Sequence, residues 1–349
     1  MKVHITSETP FIMKATGVHT AFMDHIELLK EKNDVEVVVN NEGTGDIIHG
    51  HTYGLYYIWK GLKYKGRRVY TVHVIPDSIK GSLPLWQFFM PFVRFGLKFV
   101  YSYADICIAI SPMVEKAIIE TGAKTQIVRI YNPIHIDTWK MTEEKREKGR
   151  HLLGLADNEF VVLGVGQLIG RKGVDDFLDI AESMPQAKFV WVGGRPFGGL
   201  TEGIQRISER FKNAGENVIN TGNIDLENMP EIYATADLML FPSYQENCPL
   251  APIEAAACGI PVIFRDIEEY RSLYENKYLR ASSTEEFIRL TNRMMDDNDF
   301  YNDGVDISKQ LLKQFDKDII RRRLIGVYES LLTTWEASNI DLSLTGVEV

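Results

Sequence analysis

Cysteine is scarce in this chain of 349 residues, and the three that occur, Cys107, Cys248 and Cys258, form no CxxC pair. Their odd number and their spacing argue against a disulfide framework and a zinc site, and favour a reducing compartment. No run of about 18 uncharged apolar residues is present, and the N-terminus lacks the apolar core of a signal peptide. We therefore expect a cytoplasmic protein that does not cross a membrane.

Negative charge is concentrated in one half of the chain. Residues 1–155 carry 20 Lys and Arg against 16 Asp and Glu, whereas residues 156–349 carry 19 against 32. Only the N-terminal half favours an anionic partner, although a small positive excess is equally typical of a solvated surface. The composition, 45% apolar, 25% charged and 11% aromatic, excludes disorder and coiled coil as the main state, and the length indicates two domains.

Short β-branched runs alternate with helical patterns along the whole chain, which is typical of βαβ units and parallel sheets. Strands are predicted at residues 3–6, 35–39, 47–49, 68–72, 106–110, 127–130, 160–165, 189–192, 218–221, 238–241 and 262–264. Helices are predicted at residues 18–32, 112–121 and 319–335, among others. The fold class is therefore α/β, with two doubly wound domains and a cleft between the carboxyl ends of their strands.

The alternating pattern pauses after Asn132 and Pro133, where a charged stretch follows. We place the domain boundary there, so that residues 1–138 form the first domain and residues 139–318 the second. A helix over residues 319–337 is predicted to pack back toward the first domain. Residues 338–349 form a polar tail that we expect to be frayed.

The segment FPSYQENCPLAPIEAAACGIPVI, residues 241–263, contains the first candidate site. A strand ends at Phe241, and Pro249 precedes an alanine-rich helix. Because a helix N-terminus offers unpaired N–H groups and a partial positive charge, the amides around Cys248 form a natural phosphate cradle. Glu246 and Glu254 flank this cradle and could accept hydrogen bonds from sugar hydroxyls. A solvated helix face is the alternative, but Glu254 falls in an otherwise uncharged stretch, which favours a binding role.

The second candidate site lies in residues 161–178, VVLGVGQLIGRKGVDDFL. This segment predicts a strand, a glycine-rich loop with Arg171 and Lys172, and a helix that begins near Val174. Arginine and lysine hold a diphosphate in complementary ways, and we expect both charges to face a phosphate rather than a protein carboxylate. The spacing of Gly164, Gly166 and Gly170 is not GxGxxG, which argues against a dehydrogenase.

The ordered set of motifs resembles a known family. GxxxxRKG after a strand, E-x7-E flanked by PS and GxPVI, and the mid-chain NP-x-x-x-D are similar to the family-4 retaining glycosyltransferases of GT-B fold. The resemblance covers essentially the whole chain, and the length and the aromatic first domain are most similar to bacterial enzymes that build diglycosyl-diacylglycerol, the anchor lipid of lipoteichoic acid.

The resemblance implies two Rossmann-like domains that face a central cleft, the first for the acceptor and the membrane and the second for the nucleotide sugar. It further implies hexosyl transfer with retention from a UDP-sugar, without a cofactor or a metal. The enzyme would act on the inner face of the cell membrane. Glucose and galactose both stay open as the hexose, and so do the linkage and the acceptor, diacylglycerol or its monoglycosylated form.

The resemblance also assigns roles to two groups of residues. The catalytic group is His73 and Glu246. The donor-binding group is Gly17, Arg171, Lys172, Asn247, Cys248, Pro249, Leu250 and Glu254.

Within the donor-binding group, Arg171 and Lys172 would bind the diphosphate and Glu254 the ribose. Glu246 and the backbone amides of residues 247–250 would hold the hexose and the distal phosphate. His73 would position the donor sugar, and Gly17 would lie close to the phosphates. Two departures from the family pattern, Thr16 before Gly17 and Asn-Cys after Glu246, leave the contacts to the donor sugar open.

Two metal-like patterns are given other interpretations. His49 and His51 share one strand face, but no third ligand is evident, so we expect no metal site. Asp297 and Asp299 imitate a DxD motif in a polar helix end, which we interpret as a solvated turn.

Residues 84–101, PLWQFFMPFVRFGLKFVY, combine seven aromatic side chains with Arg94 and Lys98 and contain no acid. This composition suits a helix at the surface of an anionic membrane, with nearby support from Lys60 and Lys80. A core helix with two snorkelling cations is the alternative. We expect a UDP-sugar, a lipid acceptor and an anionic membrane as partners, and no nucleic acid.

Three other functions stay open at this point. The first is transfer to a soluble saccharide. The second is a UDP-sugar epimerase of the same fold, and the third is a non-catalytic nucleotide-sugar or lipid-binding module.

Overall fold

The computed structural model describes residues 1–12, 17–79, 86–194 and 204–333. Within these ranges, twelve strands form two sheets of six strands, and the neighbouring strands run parallel. The strands are β1 (Lys2–Thr6), β2 (Glu36–Val39), β3 (Ile47–Gly50), β4 (Arg67–Val72), β5 (Ile106–Ala109), β6 (Gln126–Arg129), β7 (Val161–Val165), β8 (Lys188–Val192), β9 (Val218–Gly222), β10 (Leu238–Phe241), β11 (Val262–Arg265) and β12 (Leu279–Ala281).

Helices connect most of the strands, as parallel pairing requires. They are α1 (Thr9–Ile12), α2 (Gly17–Lys30), α3 (Leu55–Gly61), α4 (Trp86–Tyr103), α5 (Pro112–Thr121), α6 (Ile136–Trp139), α7 (Glu143–Leu153), α8 (Val174–Ser183), α9 (Ile204–Lys212), α10 (Met229–Ala234), α11 (Ala251–Cys258), α12 (Glu268–Leu273), α13 (Thr284–Asp296), α14 (Asn298–Leu311) and α15 (Lys317–Thr333).

Local signals explain the helix ends well in α5. Ser111 caps the helix, because its hydroxyl accepts a hydrogen bond from the Val114 amide at 3.2 Å. Pro112 occupies the first turn, where its missing N–H costs nothing. Gly122 ends the helix in the left-handed region at φ 67°. The observed bounds match the predicted residues 112–121.

The chain divides into two compact units, each built around one sheet. The first unit comprises Met1–Ser78, Gln87–Ile134 and the chain from Gln314 onward, and the second is built on His135–Lys313. The strand order is β2-β1-β3-β4-β5-β6 in the first unit and β12-β11-β10-β7-β8-β9 in the second. The chain thus leaves the first unit shortly before residue 138, where the sequence analysis places the boundary.

Apolar strands buried on both faces form the core of each unit. In the first unit, β1 and β5 pack with α2 and with α15, which contributes Ile320, Leu324 and Tyr328. In the second, Phe177 of α8 contacts Phe189 and Trp191 of β8 edge to face, with ring centroids 5.4 and 5.0 Å apart. The C-terminal helix is therefore part of the first core, although it follows the second unit in sequence.

The prediction of an α/β fold with two doubly wound domains of parallel strands is confirmed. All eleven predicted strands are present, and their ends differ from the prediction by at most one residue. The sequence analysis missed β12, because this three-residue strand contains Arg280 and offers no apolar run. Four features of the sequence analysis lie outside the described residues: Thr16, Lys80, residues 84–85 of the aromatic segment, and residues 334–349, which include the end of the last helix and the tail.

A buried hydrogen bond ties α15 to the first sheet and generates a test. His49 Nδ1 lies 2.6 Å from the Tyr328 hydroxyl, and His49 Nε2 lies 2.7 Å from the Thr71 hydroxyl. Tyr328→Phe leaves a buried imidazole nitrogen without a partner, so we expect the free energy of unfolding to fall by about 1–3 kcal/mol. Urea denaturation measures this change. The control is Tyr57→Phe, since the equally buried Tyr57 hydroxyl has no hydrogen-bond partner among the residues that the structure describes. Equal losses in both variants would contradict the prediction.

Candidate functional site

Two loops of the second unit meet at the edge of the sheet where strands end. β7 and β10 pair directly in parallel, so the loops that follow them leave from the same edge. The loop after β7 contains Lys172 in a single 3-10 turn, and the loop after β10 contains Glu246. The Lys172 ammonium forms a short ion pair with Glu246 Oε1. The two motifs found in the sequence therefore form one site.

Both side chains of this ion pair are largely buried, which strengthens the interaction between their charges. The Lys172 and Glu246 side chains are only 15% and 9% exposed. Burial lowers the pKa of Lys172, and the Glu246 carboxylate opposes that shift. The expectation that Lys172 faces a phosphate rather than a protein carboxylate is wrong, because the two loops converge at this edge. An ammonium has three donors, so Lys172 can hold Glu246 and still donate to a ligand.

Backbone contacts hold the same two loops together. The Arg171 guanidinium donates to the Gln245 carbonyl at 3.1 Å, and the Tyr244 amide donates to the Arg171 carbonyl at 2.8 Å. Gly173 closes the turn at φ 70°, and a Cβ there would lie 2.3 Å from the Pro242 carbonyl oxygen. Glycine at the end of the GxxxxRKG motif is therefore required by the close approach of the second loop.

Arg265, at the end of β11, is a positioning residue that the sequence analysis missed. Its Nε donates to the Pro242 carbonyl at 2.7 Å, and its guanidinium pairs with Asp176 at 3.0 Å. The same guanidinium lies 3.9 Å from the centroid of the Tyr244 ring. Arg265 thus links the loop after β10 to α8. An arginine that ends an otherwise apolar strand was the available signal, but its partners are distant in sequence.

The start of α11 follows Glu246 directly. The Leu250 carbonyl accepts hydrogen bonds from the amides of Ile253 and Glu254 at 2.8 and 2.9 Å. Within the described part of the chain, no side chain caps this helix start. Of the predicted amide donors, Asn247, Cys248 and Leu250 have a backbone N–H. Pro249 is a correction: its nitrogen has no hydrogen, so it can shape the loop but cannot bind a phosphate oxygen.

Glu254 has an environment very different from that of Glu246. It lies on α11 at 8% exposure, and the Tyr233 hydroxyl donates to its Oε2 at 2.6 Å. Burial raises the pKa of Glu254 to about 7, and the hydrogen bond from Tyr233 only partly offsets this effect. Its Oε1 makes no hydrogen bond to the described residues. Tyr233 is a second residue that the sequence analysis missed.

His73 belongs to the first unit, just after β4, in a buried group with His25, His49 and His51. His73 Nε2 lies 3.1 Å from His51 Nδ1, so one ring donates and the other accepts. Burial lowers the pKa of His73 to about 3, and repulsion from His25 adds to the shift. The ring is therefore neutral near pH 7 and can position a ligand but cannot act as a cationic acid.

Gly17 also belongs to the first unit, where it begins α2. A Cβ at this position would meet no atom of the described residues within 4 Å, so packing against them does not require glycine there. Gly17 and His73 are thus in one unit, and the other eight predicted site residues are in the other.

The metal-like patterns have structural partners. His49 is held by Tyr328 and Thr71, as described above, and Asp297 caps α14 by accepting from the Phe300 amide at 2.9 Å. Within the residues that the structure describes, no group of three or more His, Cys, Asp or Glu side chains could hold a metal ion.

α4 exposes its aromatic face. Its buried positions, Leu97, Val100 and Tyr101, lie toward the sheet, and the opposite face carries phenylalanine at intervals of three and four residues. The exposed phenylalanines are Phe88, Phe89, Phe92, Phe95 and Phe99, with exposed fractions between 57% and 76%. The alternative of a core helix is therefore wrong. Among the described helices, none is long and apolar enough to span a bilayer.

Comparison with known proteins identifies the family. The model "Glycosyl transferases group 1" matches residues 145–310, and the model "Glycosyltransferase Family 4" matches residues 32–138. The chain is 33% identical over 276 residues to alpha-galactosylglucosyldiacylglycerol synthase of Streptococcus pneumoniae, covering 77% of this chain and 74% of that one. The chain belongs to the family-4 glycosyltransferases of GT-B fold.

A second relative of this glycosyltransferase is the processive diacylglycerol alpha-glucosyltransferase of Acholeplasma laidlawii, 28% identical over 84% of this chain and 88% of that one. Solved structures agree on the fold. Anabaena HepE in complex with UDP and glucose superimposes with a TM-score of 0.77 at 19% identity, covering 95% of this chain and 100% of that one. Sucrose-phosphate synthase of Thermosynechococcus elongatus superimposes with a TM-score of 0.78 at 18% identity, covering 95% of this chain and 99% of that one. The chain is thus a transferase related to diacylglycerol glycosyltransferases.

The Lys172–Glu246 pair predicts a coupled effect on stability without any nucleotide. Lys172→Met leaves a buried carboxylate without its counter-ion, so we expect the free energy of unfolding to fall by about 3 kcal/mol or more. Adding Glu246→Gln should restore most of that loss, because the second charge is then removed as well. The matched control is Lys116→Met, since Lys116 and its partner Glu120 are both exposed. Additive losses in the double variant would contradict the pairing.

Glu254 predicts a pH-dependent stability. The ordinary pKa of a glutamate is 4.5, and burial raises that of Glu254 to about 7, so ionisation is harder in the folded chain. Stability from the neutral form is complete below 4.5 and is lost as the pH rises through 7. Relative to Glu254→Gln, the wild type should therefore lose about 2–3 kcal/mol between pH 5 and pH 8. Urea denaturation at both values tests this, and parallel pH profiles for the two proteins would refute it.

Proposed function

We propose that this glycosyltransferase moves a hexose, glucose or galactose, from UDP to a glycolipid such as monoglucosyl-diacylglycerol, with retention of configuration, at an anionic membrane surface. The exposed phenylalanine face of α4 carries the proposal. Five exposed phenylalanines on one helix face form an apolar patch of the kind that marks an interaction surface, and Arg94 and Lys98 on the same helix favour an anionic membrane as its partner. The names of the relatives from Streptococcus pneumoniae and Acholeplasma laidlawii, both diacylglycerol glycolipid enzymes, support a lipid acceptor.

The donor site is proposed for the loops after β7 and β10. Lys172, neutral overall when paired with Glu246, would turn its remaining donors to the diphosphate, and Arg171 would add its charge next to it. The amides at the start of α11 would bind the distal phosphate. Glu254 would accept hydrogen bonds from the ribose through its unpaired Oε1. The structure of HepE with UDP and glucose supports a UDP-sugar donor in this fold.

The proposed transfer needs no nucleophile from the protein. The bond between the anomeric carbon and the diphosphate oxygen breaks, and its electron pair leaves with UDP. The acceptor oxygen bonds to the same carbon on the same face, and the acceptor proton passes to the departing diphosphate. Because negative charge develops on the leaving group, preorganised positive charge from Arg171, Lys172 and the start of α11 lowers the barrier.

The first unit has two roles in the proposal. His73, neutral and held by His51, would position the donor sugar, and Gly17 would leave room for the phosphates. α4 would lie in the interface on the inner face of the membrane, where Arg94 and Lys98, at the side of its phenylalanine face, attract anionic lipid. Since the positive charge comes from the chain itself, the proposal includes no metal and no organic cofactor.

Transfer to lipid tests the proposal. The protein is incubated with radiolabelled UDP-glucose or UDP-galactose, EDTA, and monoglucosyl-diacylglycerol in phosphatidylglycerol vesicles. We expect label in the lipid and an α-linkage in the product by NMR. Interconversion of the two UDP-sugars without labelled lipid would identify an epimerase, and labelling of soluble sugars alone would identify a soluble acceptor; either result would overturn the proposal.

The same assay tests the role of α4. Phe92→Ser/Phe95→Ser should lower the ratio of transfer to vesicle acceptor over transfer to a dispersed short-chain acceptor by about tenfold or more, because interfacial burial of two rings is lost. The matched control is Leu152→Ser, which removes an equally exposed side chain from α7 in the second unit. An unchanged ratio in the double variant would exclude α4 as the membrane contact.

A further inference from the structure

A second exposed apolar face lies on α3, next to α4. Leu55, Trp59 and Leu62 are 72%, 60% and 68% exposed, and they follow one another at helical spacing. The opposite side of the helix is buried through Tyr57 and Gly61. The proposed function makes no use of this face, and nothing among the described residues covers it.

α3 and α4 pack on the same face of the first sheet. The Tyr70 ring of β4 stacks on the Tyr57 ring of α3, with ring centroids 5.4 Å apart. It also contacts the Tyr101 ring of α4, with ring centroids 6.2 Å apart. The helices are also in direct contact, since the Tyr57 ring of α3 meets the Tyr103 ring of α4 edge to face, with ring centroids 5.6 Å apart. Each helix buries the side that faces the sheet, so the two exposed faces point away from the sheet in the same direction.

The segments that carry both exposed faces contain cations and no acid. Residues 55–68 contain five Lys and Arg and no Asp or Glu, and α4 adds Arg94 and Lys98, again without an acid. The Lys60 ammonium lies 4.9 Å from the centroid of the Trp59 ring, so a cation is held directly at the apolar face. Glu42, 4.0 Å from Lys60, is the carboxylate that pairs with it. Aromatic and aliphatic side chains in segments that contain cations and no acid match an anionic lipid surface better than an acid-rich protein surface, which would leave the apolar groups uncovered.

We propose that α3 is a second membrane-contact element, which inserts Leu55, Trp59 and Leu62 into the same anionic lipid surface as α4. This inference rests on the proposed membrane location. One amphipathic helix in an interface can still roll about its own axis. Two adjacent helices with parallel exposed faces remove that freedom, so the first unit meets the bilayer in one fixed orientation.

Vesicle co-sedimentation of the full chain tests the inference. The variant is Trp59→Ser/Leu62→Ser, and the matched control is Leu152→Ser, since Leu152 is 63% exposed on α7. On phosphatidylglycerol vesicles at low salt, we expect the partition coefficient of the double variant to fall about tenfold or more and that of the control to stay unchanged. Melting curves should be superimposable, because the replaced side chains are exposed. Binding of the double variant equal to wild type would overturn the inference.

Quenching by lipid bromine gives a second readout that does not depend on affinity. Trp59→Phe keeps the apolar face but removes one fluorophore, so the difference between wild type and this variant reports Trp59 alone. With brominated acyl chains in the vesicles, wild type should lose a larger fraction of its fluorescence than Trp59→Phe. Fractional quenching of wild type equal to or smaller than that of Trp59→Phe would overturn the inference.

The two experiments distinguish failure of this inference from failure of the proposed function. If wild type binds and Phe92→Ser/Phe95→Ser does not, while Trp59→Ser/Leu62→Ser binds normally, α4 acts alone and only the inference fails. If wild type itself does not bind anionic vesicles at low salt, the membrane location fails and the inference fails with it.

Discussion

The ion pair between Lys172 and Glu246 is the contact on which the arrangement of the loops after β7 and β10 depends. It joins the loops after two neighbouring parallel strands. Both side chains are largely buried, so removing either charge would leave the other without a counter-ion and destabilise the fold. Gly173 permits the close approach of the two loops, and Arg265 donates a hydrogen bond to the Pro242 carbonyl in the loop after β10. The two loops are therefore held in place before any ligand arrives, and in the proposed donor site such preorganisation is the condition under which electrostatic stabilisation is most effective.

The two glutamates of one motif have opposite electrostatic environments. Glu246 faces an ammonium, whereas Glu254 accepts a hydrogen bond from the Tyr233 hydroxyl, and burial raises the pKa of Glu254 to about 7. Seven residues separate them, but the loop through Pro249 and the start of α11 place them next to different side chains. Their chemistry differs because of packing, since the side chains are identical.

The first unit separates its inner and outer surfaces in a similar way. Four histidines are buried together and His73 is neutral near pH 7, so the inner group offers oriented hydrogen bonds without charge. The outer faces of α3 and α4 combine exposed apolar side chains with cations. One sheet, with Tyr70 as the shared contact of the two helices, supports both arrangements.

The parallel α/β fold, the strand ends to within one residue and the two glycosyltransferase motifs could be predicted from the sequence, because these follow from local periodicity and from short, contiguous patterns. The short strand β12 and the partners Arg265 and Tyr233 were not predicted, and the contacts of these two residues join positions 23 and 21 residues apart. The pairing of Lys172 with Glu246, 74 residues away, and the exposure of the α4 phenylalanines depend on the tertiary structure. Charge pairing and burial depend on which distant segments meet, and no local pattern encodes that.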